Sequence, residues 1–229
     1  MSGSFTHLPS TGSTNDWLLA RATELADGHW VIADRQTAGR GRRGRVWSDG
    51  AGNLMASVLV RAEGPVQQLS FVAALALQAA LGLGDRIRLK WPNDLLLDGV
   101  KVSGILLERS GAALVIGMGV NLAQHPDATE RPATSLAAAG VPVPAPVDVL
   151  ARLIPAFADY RAGWAAQGFG PVRDRWLQHA AGVGERIAAR LGTETVEGRF
   201  EGLQADGALA LRLDDGSLRA IHAGEVFAL

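Results

Sequence analysis

The chain has 229 residues, a net charge of −1, 48% apolar residues and no cysteine. The length suits one domain with a small appendage or two small domains, and the apolar share supports a packed core. Balanced charge argues against a general nucleic-acid binder, and the lack of cysteine excludes disulfides, zinc-thiolate sites and thiol nucleophiles.

The opening "MSGSFTHLPS" has no basic segment followed by an apolar one, so it does not read as a secretory signal. "STNDWLLARATELAD" then starts a helix. Ser13 and Asp16 have the spacing at which a side-chain oxygen and a carboxylate cap the first turn, and Leu18, Ala22 and Leu25 follow at helical intervals. "HWVIAD" reads as a short strand and "NLMASVLVR" as a second. Pro65 to Leu83 reads as a buried helix ended by "GLG", and its apolar core is shorter than the roughly 20 residues that span a bilayer. A cytoplasmic protein is expected.

From Ile87 to Leu122 the pattern predicts antiparallel strands, with tight turns at Asp98-Gly99 and Ser110-Gly111. Residues 122–146 read as a long irregular connection. Val147 to Gln167 and Pro171 to Ala180 read as helices. After Gly182 short alternating segments, with turns at Asp206-Gly207 and Asp215-Gly216, predict a small β-barrel. The expected fold is α+β: a mixed, mostly antiparallel sheet with helices over residues 1–181, and a small SH3-like barrel over 182–229.

Between the first two core strands lies "TAGRGRRGRVW", residues 37–47, in which Arg40, Arg42, Arg43 and Arg45 are separated by Gly39, Gly41 and Gly44. Gly39-x-Gly41-x-x-Gly44 matches the dinucleotide fingerprint as a bare pattern, but no helix follows it, and no Gly-Lys-Ser/Thr follows for a Walker loop. An RG-type nucleic-acid contact would be longer and repeated. A solvated turn and a pocket for a small anion remain. Glycines admit close approach, and guanidinium groups bind carboxylate or phosphate in a bidentate way. A reaction that brings a carboxylate against a polyphosphate needs several such charges.

Other stretches bear on that pocket. "KWPNDLLLDGVK" places Lys90, Asn93 and Asp94 by a proline turn and Lys101 after the Asp-Gly turn; each also reads as a surface group. Gly104, Gly117 and Gly119 interrupt apolar strands, which weakens a strand unless something must come close. Asn121 ends "VIGMGVNL" and offers both a donor and an acceptor. The five histidines lack metal-ligand spacing, and each reads as a surface or capping residue. No Gly-x-Ser-x-Gly elbow is present.

In this order, "STND" at 13–16, "QTAGRGRRGRVW" at 36–47, "KWPNDLLLDGVKVSGILLE" at 90–108 and "VIGMGVNL" at 115–122 resemble the biotin protein ligases, as does the small C-terminal barrel. The resemblance implies two steps. Biotin carboxylate attacks the α-phosphate of ATP to give biotinyl-5′-adenylate. A lysine of the biotin carboxyl carrier protein of acetyl-CoA carboxylase then displaces AMP. It implies that Ser13, Thr14, Gln36, Gly39, Arg40, Arg42, Trp47, Lys101, Gly104 and Gly117 form the biotin site. Arg42, Arg45, Trp47, Asn93, Lys101 and Asn121 would form the nucleotide site. Lys101, Arg42 and Asp94 would carry the catalysis, and magnesium would be held mainly by phosphates. The family's DNA-binding domain, where present, precedes "STND"; only twelve residues do so here, so no DNA partner is expected. A monomer or a homodimer and no membrane partner are expected. Two features differ from some members: residues 122–146 contain no aromatic, and the chain ends "GEVFAL" without an arginine. The alternatives are a lipoate or octanoate ligase of the same superfamily, and a non-catalytic partner-binding module.

Overall fold

A computed structural model describes residues 5–47, 50–127, 132–192 and 194–229. Seven strands form the larger sheet: β1 (Phe5–Leu8), β2 (Trp30–Ala33), β3 (Leu54–Val60), β4 (Ile87–Lys90), β5 (Asp94–Leu97), β6 (Val100–Ser110) and β7 (Ala113–Val120). Their order is β1-β2-β3-β7-β6-β5-β4. β1 and β2 run parallel and the other neighbours antiparallel, giving the expected mixed sheet. β1 was not read from the sequence; four half-exposed residues at a sheet edge carry too little alternation to stand out. The Asp98-Gly99 turn forms as expected, with both residues at positive φ (50° and 85°). The second turn is shifted: Ser110 still pairs with Ala113, and Gly111 opens the turn.

Period-two alternation gives the sheet two different faces. Leu54, Ala56, Val58 and Val60 of β3, with Leu114, Ile116, Met118 and Val120 of β7, belong to the main core. That core also contains helices α2 (Leu69–Leu81), α3 (Pro146–Gln167) and α4 (Phe169–His179). α2 is apolar round most of its surface because all but Ser70 and Ala79 are buried, and Gly82, left-handed at φ 67°, ends it. The opposite face carries α1 (Thr14–Leu19), whose Leu18 packs on Val31, Leu59 and Val115.

α1 is shorter than the sequence suggests. Residues 20–25 continue as turns, in which Arg21 and Ala22 donate to the carbonyls three residues back. Ala22 and Leu25 still pack on the α1 cluster, so the apolar spacing reported burial beyond the helix end. Only half of the expected cap forms: Ser13 Oγ accepts from Asp16 N at 3.4 Å, while the Asp16 carboxylate turns to Arg40.

The second sheet comprises β8 (Arg186–Arg190), β9 (Thr195–Leu203), β10 (Leu209–Arg212), β11 (Leu218–Ile221) and β12 (Glu225–Ala228). Its order, β11-β10-β9-β8-β12, is antiparallel throughout and consistent with an SH3-like barrel. Its Asp206-Gly207 turn wedges against the main core. A Cβ on Gly207 would lie 2.9 Å from Phe71 Cε2. Trp91 Nε1 donates to Gly207 O at 3.2 Å, and Gln68 Nε2 to Ala205 O at 3.1 Å. These contacts bring β12 alongside the arginine loop.

Two of the histidines expected at surface or capping positions are partly enclosed. His29 is half-buried, with Nε2 3.0 Å from Thr6 Oγ1. His179 ends α4 with both ring nitrogens buried and no hydrogen-bond partner among the described residues. Burial pushes the pKa of each below the ordinary value of 6.5; at His179 the neighbouring Arg175 and Arg88 push the same way. No helix among the described residues is long and apolar enough to cross a membrane.

Candidate active site

On the α1 face the pairing register aligns two cross-strand rows. One row is Ser57, Gly117 and Leu106; the other is Met55, Gly119, Gly104, Asp94 and Lys90. The glycines open a hollow where side chains would otherwise fill the sheet surface. α1 and residues 36–47 wall it in, giving a cavity of about 300 Å³.

One end of the cavity is polar and uncharged. Gln36 Oε1 accepts from Thr14 N at 2.7 Å and from Thr14 Oγ1 at 2.9 Å. Ser57 Oγ lies 2.7 Å from Thr14 Oγ1 and 2.6 Å from Asn15 Oδ1, so its single proton serves one of two acceptors. Thr14, Asn15, Gln36 and Ser57 are all buried. Asn15 occupies the space above Gly117: a Cβ there would lie 2.4 Å from Asn15 Oδ1. Hydroxyls and carboxamides without charge suit a neutral ligand group that both donates and accepts hydrogen bonds.

The other end is cationic. Lys101 Nζ pairs with Asp94 Oδ1 at 2.7 Å above Gly104, whose added Cβ would lie 3.6 Å from that amine. Arg42 contacts neutral acceptors, Asn93 Oδ1 at 3.1 Å and Gly224 O at 3.5 Å. Burial pushes its pKa down, the nearby Asp94 partly offsets this, and the guanidinium stays charged. Arg45 pairs with Glu225. Asn93 Nδ2 donates to Ile105 O at 2.7 Å, and Asn121 Nδ2 to Thr134 O at 3.0 Å.

The arginine loop is folded back on itself. Trp47 N donates to Gly39 O at 3.0 Å and Gly41 N to Arg45 O at 2.7 Å. Arg43 and Gly44, at φ 59° and 72°, make the reversal. This folding lays the Trp47 indole over Gly119 and Gly104; a Cβ on Gly119 would come within 2.4 Å of the ring. The indole N–H is buried without a hydrogen-bond partner among the described residues.

Ser13, Thr14, Gln36, Arg40, Arg42, Arg45, Trp47, Asn93, Asp94, Lys101, Gly104, Gly117 and Asn121 all line the cavity. Gly39 does not. It is a spacer whose added Cβ would lie 3.0 Å from both Gln36 Nε2 and Trp47 O. Ser13 spends its hydroxyl on the helix cap. Arg40 is fully engaged: it forks onto Asp16 and also donates to both Glu108 oxygens at 2.9 and 3.1 Å. Its hydrogen bond to Asp16 holds that carboxyl below the usual range. Arg40 therefore anchors the loop rather than presenting a free charge.

The sequence did not reveal Asn15, Ser57, Glu108 or Glu225 as parts of the site, Asp16 as the partner of Arg40, or Gly119 as the seat of Trp47. Ser57 carried a readable signal, as a lone polar residue in the apolar strand "LMASVLV". Asn15, Asp16 and Glu108 lay inside motifs already singled out. Glu225 reaches the loop only through the docking of the second sheet.

A model of the biotin/lipoate A/B protein ligase family matches residues 4–121, and one of the biotin protein ligase C-terminal domain matches 182–229. The biotin–[acetyl-CoA-carboxylase] ligase of Paracoccus denitrificans is 46% identical, over 96% of this chain and 98% of its own. The ligase of that name from Mycobacterium tuberculosis is 35% identical, over 94% of this chain and 85% of its own. The fold superposes on the biotin protein ligase of Aquifex aeolicus in complex with biotin and ATP with a TM-score of 0.88, at 27% identity and 99% coverage of both chains. With a family model spanning more than half its length and a ligase relative matched almost end to end, this chain belongs to the biotin protein ligase family.

Proposed function

We propose that the protein is an ATP-dependent biotin–[acetyl-CoA-carboxylase] ligase. The observation that carries the reading, beside the family, is one cavity with a neutral hydrogen-bonding end and a cationic end under a tryptophan roof. The first fits an uncharged ureido ring. The second fits a carboxylate meeting a phosphate. Residues 1–181 would be the catalytic domain, with 182–229 the barrel that adds Glu225 and Val226 to the wall.

The chemistry asks the protein to hold two anions together. Arg42, whose present partners are neutral, can turn its charge to the carboxylate and the α-phosphate without first losing an ion pair. Lys101 is held by Asp94 beside Gly104, and we assign it the carboxylate and α-phosphate oxygens at the point of attack. One carboxylate oxygen of biotin bonds to the α-phosphorus and pyrophosphate leaves. In the second step the neutral ε-amine of the carrier lysine attacks the acyl carbon, AMP departs, and the amine proton passes to solvent. Trp47 and the strands beneath it exclude water from the mixed anhydride. Its orphaned N–H would gain an acceptor from the bound substrate. Arg45, Asn93 and Asn121 are assigned to the nucleotide.

The described residues do not by themselves make a metal site. Among the described residues no group of three or more His, Asp and Glu gathers, and Asp94 and Glu225 are already paired. Magnesium is therefore assigned to the phosphates of ATP. The carrier protein of acetyl-CoA carboxylase is the proposed acceptor, and the cytoplasm the proposed compartment.

The test mixes protein, ATP, magnesium and biotin without acceptor and measures pyrophosphate and biotinyl-adenylate by mass, with lipoate and octanoate in parallel. Adenylate with biotin alone is expected, followed by a single biotin mass on the carrier protein. Adenylate with lipoate or octanoate instead would transfer the chain to the sister activity. No adenylate with any acid would return it to a binding module.

A further inference from the structure

The sequence "GAGN" at 50–53 lies between the arginine loop and β3, and the chemistry above leaves it unused. The structure makes it a joint. Asn53 is buried at 2% exposure, at the foot of β3. Its Oδ1 accepts three successive backbone N–H groups, from Leu122 at 3.0 Å, Ala123 at 3.0 Å and Gln124 at 3.1 Å. Its Nδ2 donates to Gln124 O at 2.9 Å. A carboxamide suits this seat because it offers an acceptor and a donor on one rigid group. Alanine offers neither. Aspartate keeps the acceptor but turns a second oxygen against a carbonyl.

The glycines exist to admit this contact. A Cβ on Gly50 would lie 2.3 Å from Asn53 Nδ2, and one on Gly52, at φ 82°, would lie 3.0 Å from Ala123 Cβ. Asn53 therefore bridges the segment after Trp47 to the segment after Asn121. That second segment begins the connection whose Pro126 and Ala133 line the cavity, Ala133 bridging to Lys101 of the cationic end. It is tied down again at Thr134, which donates to Lys101 O at 2.8 Å and accepts from Asn121 Nδ2.

We infer that Asn53 is a positioning residue for the nucleotide: it fixes how the 122–127 segment leaves β7, and so places Asn121 and Pro126 beside ATP. The inference rests on the assignment of that cavity end to ATP. The Asn53 side chain bonds to residues 122–124, whereas at the neutral end Thr14, Gln36 and Ser57 form a network of their own. Its loss should therefore separate the two substrates.

The experiment compares wild type, Asn53→Ala and Asn53→Asp in adenylate formation, with ATP and biotin varied independently, and by amide hydrogen exchange without ligand. Asn53→Ala should raise the KM for ATP about tenfold or more, a scale set by loss of positioning, while the KM for biotin moves less than about twofold. The amides of 122–124 should lose protection while those of β7 keep theirs. Asn53→Asp should regain most of the amide protection and part of the ATP affinity. Equal rises in both KM values, or an unchanged KM for ATP, would overturn the inference. If Asn53→Ala fails to fold, Asn53→Asp carries the same split on a smaller scale. An inactive wild type would instead strike the proposed function, and the exchange pattern would still test the bridge itself.

Discussion

The two faces of the seven-stranded sheet are made by the same strands and do opposite things. On one face β3 and β7 present Leu54, Ala56, Val58, Ile116 and Met118, sealed by α2 and α3. On the other, Leu59 and Val115 pack under α1, while Gly117 and Gly119 leave a hollow beside them. The closed face supplies burial energy at roughly 25 cal/mol per Å² of apolar surface. The open face gives some of that up for a binding site, and the closed face makes the sheet rigid enough to tolerate it. The comparison can be broken from either side.

The largest effect should come from the closed face. Leu77→Ala, at a fully buried position of α2, should cost about 2–5 kcal/mol of stability in urea unfolding, with both KM values near wild type at low temperature. A large KM change there would mean that the faces are coupled. Next come the charges of the open face. Lys101→Ala or Arg42→Ala should slow adenylate formation by ~100-fold or more, equivalent to about 2.7–4 kcal/mol in the barrier, with the protein still folded at the assay temperature. A wild-type rate in either variant would remove its assigned role.

Gly117→Ala tests the hollow itself. The new methyl would sit 2.4 Å from Asn15 Oδ1, so Asn15 must move, at a cost of about 1–3 kcal/mol. The KM for biotin should rise more than the KM for ATP in steady-state titrations. The loop anchor should matter less. Glu108→Gln weakens a partly exposed ion pair worth about 1 kcal/mol or less, and should raise protease cleavage within residues 37–47 a few-fold. Undiminished resistance would leave Asp16 as the main anchor.

The smallest effect is one of pH. His29 and His179 have folded pKa values below their unfolded value, so the unfolded chain binds more protons. Their contribution is present above pH 6.5 and is lost as the pH falls through the folded values. Melting temperature should drop from pH 7 toward pH 5, and His179→Phe should flatten part of that slope.

Much of this was legible in the chain. The strands of the large sheet beyond β1, the buried helix, the Asp98-Gly99 hairpin and the small C-terminal sheet follow from alternation, glycine turns and apolar runs. Those signals are local, and backbone geometry is chiefly local. The motif residues could be listed too, and all but Gly39 reach the cavity wall. What could not be read was the state of each side chain. Arg40, Arg42 and Arg45 are equivalent in "GRGRRGR". In the fold Arg40 is consumed by Asp16 and Glu108, Arg45 meets Glu225, and Arg42 faces neutral oxygens.

The sequence by itself determined the order of elements, the family and a roster of polar groups, because helix and strand periods and turn residues act over a few neighbours. The tertiary structure decided which groups are spoken for and which are available to a ligand. The partner of Arg40 on β6 lies 68 residues away in the chain, and the carbonyl that Arg42 meets near β12 lies 182 away. Charge pairing and burial depend on distance in space, which only the docking of α1, the loop and the second sheet onto one sheet face sets.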